Sequence, residues 1–142
     1  MERSYMPNKP FAMEWLQFGY KNLLTAQFLY DAEHFEDIIG IELQQVLEKA
    51  LKAIFANENR KIPREHDLVK LYFLVEEKLL LSDEEIVLLR IATNYYKDER
   101  YPNPNYTLPP REEIKEVMEF AYKIFDTVCQ KLKIDKREID VR

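Results

Sequence analysis

The stretch Phe35–Ile54, FEDIIGIELQQVLEKALKAI, decides the fold. Phe35, Ile39, Leu43, Val46, Ala50 and Ile54 recur every three or four residues, the period of an α-helix, while Gln45, Glu48, Lys49 and Lys52 occupy the other side. The spacing predicts a helix of about six turns. Toward the N-terminus, Trp15, Gly19, Leu23, Ala26 and Tyr30 define one face of a preceding helix from Phe11 to about Glu33, whose small members admit a close neighbour. A short corner at His34 separates the two. Toward the C-terminus, Asn57–Pro63 has no periodicity and reads as a loop, after which Leu68, Leu71, Tyr72, Val75 and Leu79 predict a third, shorter helix. Ser82 followed by Asp83, Glu84 and Glu85 is a capping box that opens a fourth helix running through Ile86, Leu89, Thr93 and Tyr96. A fifth opens with Glu112 and Glu113 at its positive end and carries Ile114, Val117, Ala121, Ile124, Phe125, Val128 and Leu132.

Prolines 7, 10, 63, 102, 104, 109 and 110 fall only in the breaks. The one long connection, residues 100–110, holds four of them and is stiff as well as irregular. No segment alternates as a strand does, and no longer repeat occurs. The expected fold is all-α, an antiparallel up-and-down bundle of about five helices. Its expected division is an N-terminal extension at 1–10, the bundle at 11–132 and a charged tail at 133–142, where Ile134, Ile139 and Val141 are too sparse to define a face.

At 142 residues the chain is one domain, able to bury about two thirds of its unfolded surface. Its 46% hydrophobic content and two glycines separate it from disordered and collagen-like sequences. A lone cysteine, Cys129, makes no intramolecular disulfide and no Cys-based metal site, so the reducing cytoplasm is the expected compartment. No uninterrupted apolar run is long enough to span a bilayer, and Met-Glu-Arg-Ser lacks the order of an export signal, so neither insertion nor secretion is expected. A net charge of -5 argues against a nonspecific nucleic-acid coat. Residues 44–70 nevertheless carry a net +2 within an acidic chain, enough to attract one phosphate group or simply ordinary surface charge.

Only two histidines are present. Asp31 and His34 have the carboxylate-x-x-His spacing of di-iron bundles, but His66 has Pro63 in the matching place, so the second pair is missing and no metal is expected. Gly19 and Gly40 lie far apart inside helices, which excludes a glycine-rich phosphate loop. Cys129 falls on the apolar face of the fifth helix, as a buried, inert thiol does.

Helix one reads Trp15-Leu-Gln-Phe-Gly19-Tyr-Lys-Asn22-Leu23-Leu-Thr-Ala26; helix two carries Gln44-Gln45-Val46-Leu47-Glu48-Lys49-Ala50-Leu51-Lys52-Ala53; His66-Asp67-Leu68 and Arg100-Tyr101-Pro102 follow. In that order these segments resemble the HEPN family of small prokaryotic helical domains over about residues 11–132. The resemblance implies a self-associating bundle, often encoded beside a minimal nucleotidyltransferase and proposed to bind nucleotides or nucleic-acid phosphates. It also brings in relatives that are ribonuclease toxins, using an arginine and a histidine four to six residues apart. There the arginine stabilises charge on the scissile phosphate and the histidine moves the proton of the attacking hydroxyl. In the corresponding half of this chain Arg100 is followed by Tyr106 rather than His, and tyrosine is a poor base at neutral pH. Arg60 and His66 satisfy the spacing in a different connection, where His66 belongs to a helix start and Asp67 favours its positive end.

The candidate ligand-binding residues are Arg100, Tyr101, Tyr106, Lys49, Lys52 and Gln45. Arg100 either forks a phosphate or pairs with Asp98 and Glu99; Tyr101 and Tyr106 either stack a base, accept a nucleotidyl group or pack the loop onto the bundle. Gln44, Gln45, Lys49 and Lys52 face a groove, a second subunit or solvent. The expected function is a non-catalytic nucleotide- or phosphate-binding module, without a cofactor, acting with a separate nucleotidyltransferase in a toxin–antitoxin-like pair. Its rivals are a divergent metal-independent ribonuclease and a purely structural interaction bundle. An aromatic content of 13% in so small a bundle leaves rings at the surface, and a homodimer is expected.

Overall fold

A computed structural model describes residues 7–100, 105 and 107–139, the side chains of 98–100 excepted. Among these, five helices follow one another: α1 (Lys9–Asp31), α2 (Glu36–Asn57), α3 (Leu68–Phe73), α4 (Asp83–Arg100) and α5 (Arg111–Lys131), closed by a 3-10 turn at Lys136–Ile139. No strand occurs among the described residues. Nor is any helix among them long and apolar enough to cross a membrane.

Helix α1 begins two residues before Phe11 because Asn8 caps it: its side-chain oxygen accepts from Phe11 N at 3.2 Å, and Pro10 stands in the first turn. Asn8 N also donates to Asn57 O at 2.7 Å, which ties the start of α1 to the end of α2 and makes the pair an antiparallel hairpin. The buried line of α1 is Ala12, Leu16, Gly19, Leu23 and Ala26; Trp15 and Tyr30, expected in that line, lie half-buried at its edges.

Helix α2 is the axis of the molecule, packed against α1, α3, α4 and α5. It is buried almost all round, from Ile39 and Gly40 through Leu43, Val46 and Leu47 to every residue from Ala50 to Asn57. Helix α3 starts where Asp67 accepts from Val69 N and Lys70 N, and α4 opens on the reciprocal bonds of Ser82 and Glu85, both as the sequence reading places them. Helix α3 is shorter than the periodicity through Leu79 predicts. Beyond Phe73 the chain tightens into three-residue turns (Leu74 N to Leu71 O, Val75 N to Tyr72 O, Lys78 N to Val75 O) that still bury Val75 and Leu79. The tail also departs from expectation, since Ile134 and Ile139 are buried and the 3-10 turn folds them back against the bundle.

Candidate functional site

Gln44, Glu48 and Lys52 stand four residues apart on α2 and form one ridge along it. All three are buried, with Gln44 fully so. A carboxylate in such a place is costly unless its lone pairs are filled. Three donors do that: Gln44 Nε2 and His66 Nδ1 each lie 3.0 Å from Glu48 Oε1, and Lys52 Nζ lies 2.9 Å from Oε2. Burial pushes the Glu48 carboxyl up, but the bonds from Gln44, Lys52 and His66 together outweigh it and hold the group below its ordinary pKa. Gln44 Nε2 also donates to His66 O at 3.0 Å, Gln45 Nε2 donates to Gln44 Oε1 at 2.6 Å, and the His66 ring stacks on Tyr96 with centroids 4.7 Å apart. The ridge thus joins α2, the segment before α3, and α4.

On the side toward α1 the ridge meets aromatic rings. Lys52 Nζ lies 5.7 Å from the centroid of Trp15, and Lys49 Nζ lies 5.9 Å from that of Phe18, which Lys21 also approaches at 5.4 Å. Lys49 donates to the neutral Asn22 Oδ1 at 2.6 Å, and Asn22 in turn donates to Glu42 at 2.9 Å. Lys52 has a carboxylate partner; Lys49 has none within ion-pair distance among the described residues. Burial pulls the Lys49 ammonium below its ordinary pKa, with Lys52 adding to the effect and Glu48 and Glu42 opposing it. Trp15 and Phe18, with Phe11, Glu14 and Gln17, line an open groove of about 600 Å³. All five residues belong to α1, and Lys49 and Lys52 stand beside the groove through their contacts with Phe18 and Trp15 rather than in its lining.

Of the six residues singled out in the sequence, Lys49, Lys52 and Gln45 come together on this part of α2. Arg100 ends α4, one turn after Tyr96; its side chain, Tyr101 and Tyr106 lie outside the described residues. Gln44 and Lys52 do not form a solvated side, because α2 has neighbours on that face as well. The Arg60 and His66 pair shares a spacing but no partner: Arg60 lies over Phe55, pairs with Glu58 and donates to Leu74 O, while His66 belongs to Glu48 and Tyr96. Asp31 accepts from Gln27, His34 meets Phe35 edge-on, and no group of three His, Cys, Asp or Glu side chains gathers among the described residues. Cys129 is buried, its thiol pushed up to about 11 by desolvation and by Asp126.

Sequence reasoning passed over Glu48, His66, Tyr96 and Trp15 as a cluster. The signal was present in Ala50, Leu51, Ala53, Ile54, Phe55 and Ala56: a helix apolar on nearly every side is buried, and its polar residues are buried with it.

A family model described as HEPN domain matches residues 12–133. The structure of TT1696 from Thermus thermophilus superposes with a TM-score of 0.69 at 23% identity, over 84% of this chain and 97% of that one. ST0689, an archaeal HEPN homologue, superposes with a TM-score of 0.66 at 18% identity, over 93% of this chain and 99% of that one. At these identities the likeness is one of fold. No curated protein matches the chain.

Proposed function

The chain belongs to the HEPN domain family, and from that premise we propose that it is a non-catalytic nucleotide- or phosphate-binding module that works as a homodimer with a separate nucleotidyltransferase, in a toxin–antitoxin-like pair. One observation carries the binding reading: the Lys49 and Lys52 ammonium groups lie over the ring faces of Phe18 and Trp15, and the same rings wall an open groove. A π-face for a base beside a cation for a phosphate is the usual equipment of a nucleotide site. Lys52 is already neutralised by Glu48, so Lys49 is the cation that an incoming phosphate meets. Glu14 also lines the groove, which sends the anionic end of a ligand toward the lysine side. Arg100, Tyr101 and Tyr106 are proposed as ligand-binding residues on their chemistry alone, a guanidinium for a phosphate and rings for a base. Arg60 is engaged by Glu58 and Leu74 O and shares no partner with His66, which supports a binding role over ribonuclease chemistry by that pair.

Calorimetric titration with ATP tests this. Saturable heat is expected, with affinity lowered about tenfold by Lys49→Ala, the scale of one charged hydrogen bond. Silence at millimolar nucleotide would leave the purely structural bundle. Purification from the native cell is expected to bring a nucleotidyltransferase with a dimer of this chain; a monomer recovered alone contradicts the partnership.

A further inference from the structure

His66 is held in a manner that the binding proposal does not use. Three contacts fix it: Nδ1 on Glu48 Oε1 at 3.0 Å, its carbonyl oxygen on Gln44 Nε2 at 3.0 Å, and its ring on Tyr96. The Glu48 side chain is only 7% exposed and is itself fixed by Gln44 and Lys52. An ionised carboxylate accepts and does not donate, so the proton sits on Nδ1 and the neutral ring carries its lone pair on Nε2. The His66 side chain is 48% exposed, and Nε2 makes no hydrogen bond among the described residues. An imidazole oriented by a buried carboxylate, with its other nitrogen open, is the arrangement of an activated base or nucleophile.

The surroundings favour the nucleophile. His66 lines neither the α1 groove nor the smaller clefts at the ends of α2 and α5, so its exposed Nε2 meets reagents directly from solvent. A reagent must arrive from outside and leave a group behind. Arg64, two residues before, is exposed and makes no ion pair among the described residues, so a guanidinium is available for a newly attached anion.

We propose that His66 Nε2 is a phosphoryl acceptor, a covalent modification site oriented by Glu48. In the step, the Nε2 lone pair attacks the phosphorus of a labile phosphoryl donor such as phosphoramidate. The Nε2–P bond forms, the donor's P–N bond breaks, and the already protonated donor nitrogen departs as ammonia. The ring becomes an imidazolium whose Nδ1–H remains on Glu48, and the carboxylate offsets the new positive charge. Nothing is oxidised or reduced. Phosphoramidate has no base, so this inference and the nucleotide reading fail independently of each other.

His34 supplies an internal control, being exposed, with its ring against Phe35 and no carboxylate on either nitrogen among the described residues. The full chain is incubated with phosphoramidate, and acid-labile adducts are mapped by peptide mass and phosphorus NMR. The expected result is an Nε2-linked adduct at His66 that forms about tenfold faster than any at His34. His66→Asn is expected to abolish it, and Glu48→Gln to lower the rate to that of His34. Equal rates at the two histidines, an Nδ1 linkage, or no adduct at His66 overturns the proposal. If Glu48→Gln does not fold, the ratio of the two histidines in the unmodified chain still decides.

Discussion

A Cβ placed on Gly40 would sit 2.7 Å from both Cγ and Cδ2 of the Tyr95 ring, closer than real contacts allow. Tyr95 cannot swing aside freely, because its hydroxyl donates to Glu113 at 2.5 Å and its ring is part of the core. At Gly19 the nearest atom to such a Cβ is Lys49 Cβ at 3.4 Å, an ordinary contact. The two glycines therefore separate in a single test. Gly40→Ala is expected to cost about 1–3 kcal/mol through overpacking. Gly19→Ala is expected to be neutral or to stabilise by up to about 1 kcal/mol through helix propensity. Chemical denaturation measures both, and equal effects would refute the packing assigned to Tyr95. The same residue scale explains how three of the helices stop. Helices α1, α2 and α5 all stop at a left-handed residue, Glu33, Asn59 and Lys133, none of which is glycine. Each is followed by the paired backbone bonds of a Schellman stop, as in Ile134 N to Cys129 O and Lys133 N to Gln130 O. Without glycine the stops are marked in the sequence by the loss of apolar periodicity at His34, Asn57 and Leu132 rather than by a turn residue.

At the scale of the element, α2 carries both the fold and the candidate site. Its apolar face was legible because Ile39 to Ile54 repeats at helical spacing, although Phe35, read into that face, is the N-cap and stays 61% exposed. The fate of Gln44, Glu48 and Lys52 was not, because periodicity assigns sides and says nothing of what covers the second side. That face is covered by the segment before α3, whose partner His66 is 18 residues from Glu48 in sequence. Removing one member of a buried pair strands the other, so Lys52→Met is expected to destabilise by about 3 kcal/mol, and adding Glu48→Gln is expected to restore most of that. The pH dependence follows from the lowered pKa of Glu48. The unfolded chain takes up this proton first as acid is added, so the stability contributed by the group is full well above its ordinary value of 4.5 and is lost as pH falls through the lower folded value. Acid titration of the double variant, in which this carboxyl is gone, is expected to show a shallower loss over that window. An unchanged acid limb would refute the role of the carboxylate.

For the whole molecule, prolines at the breaks and helix ends, with caps at Asp67 and Ser82, made the five-helix bundle readable, since each acts locally. The closing turn was missed because Ile134 and Ile139 pack through tertiary contact and repeat too sparsely to form a stripe. The candidate site was legible on one side only: Lys49 and Lys52 stood out by charge, whereas Trp15 read as core and is half-buried, packed against the core on one side and lining the groove on the other. Phe28 at 72% and Leu80 at 88% exposure line no part of that groove and are open to contact with another chain. Because Trp15 is the sole tryptophan and lines the groove, tryptophan emission reports on this part of α1. The most direct test titrates ATP while following that emission. Saturable quenching is expected, with its midpoint moved about tenfold higher by Lys49→Ala. Emission that stays constant at millimolar nucleotide, or quenching indifferent to Lys49, would contradict a nucleotide site at the α1 groove beside Lys49.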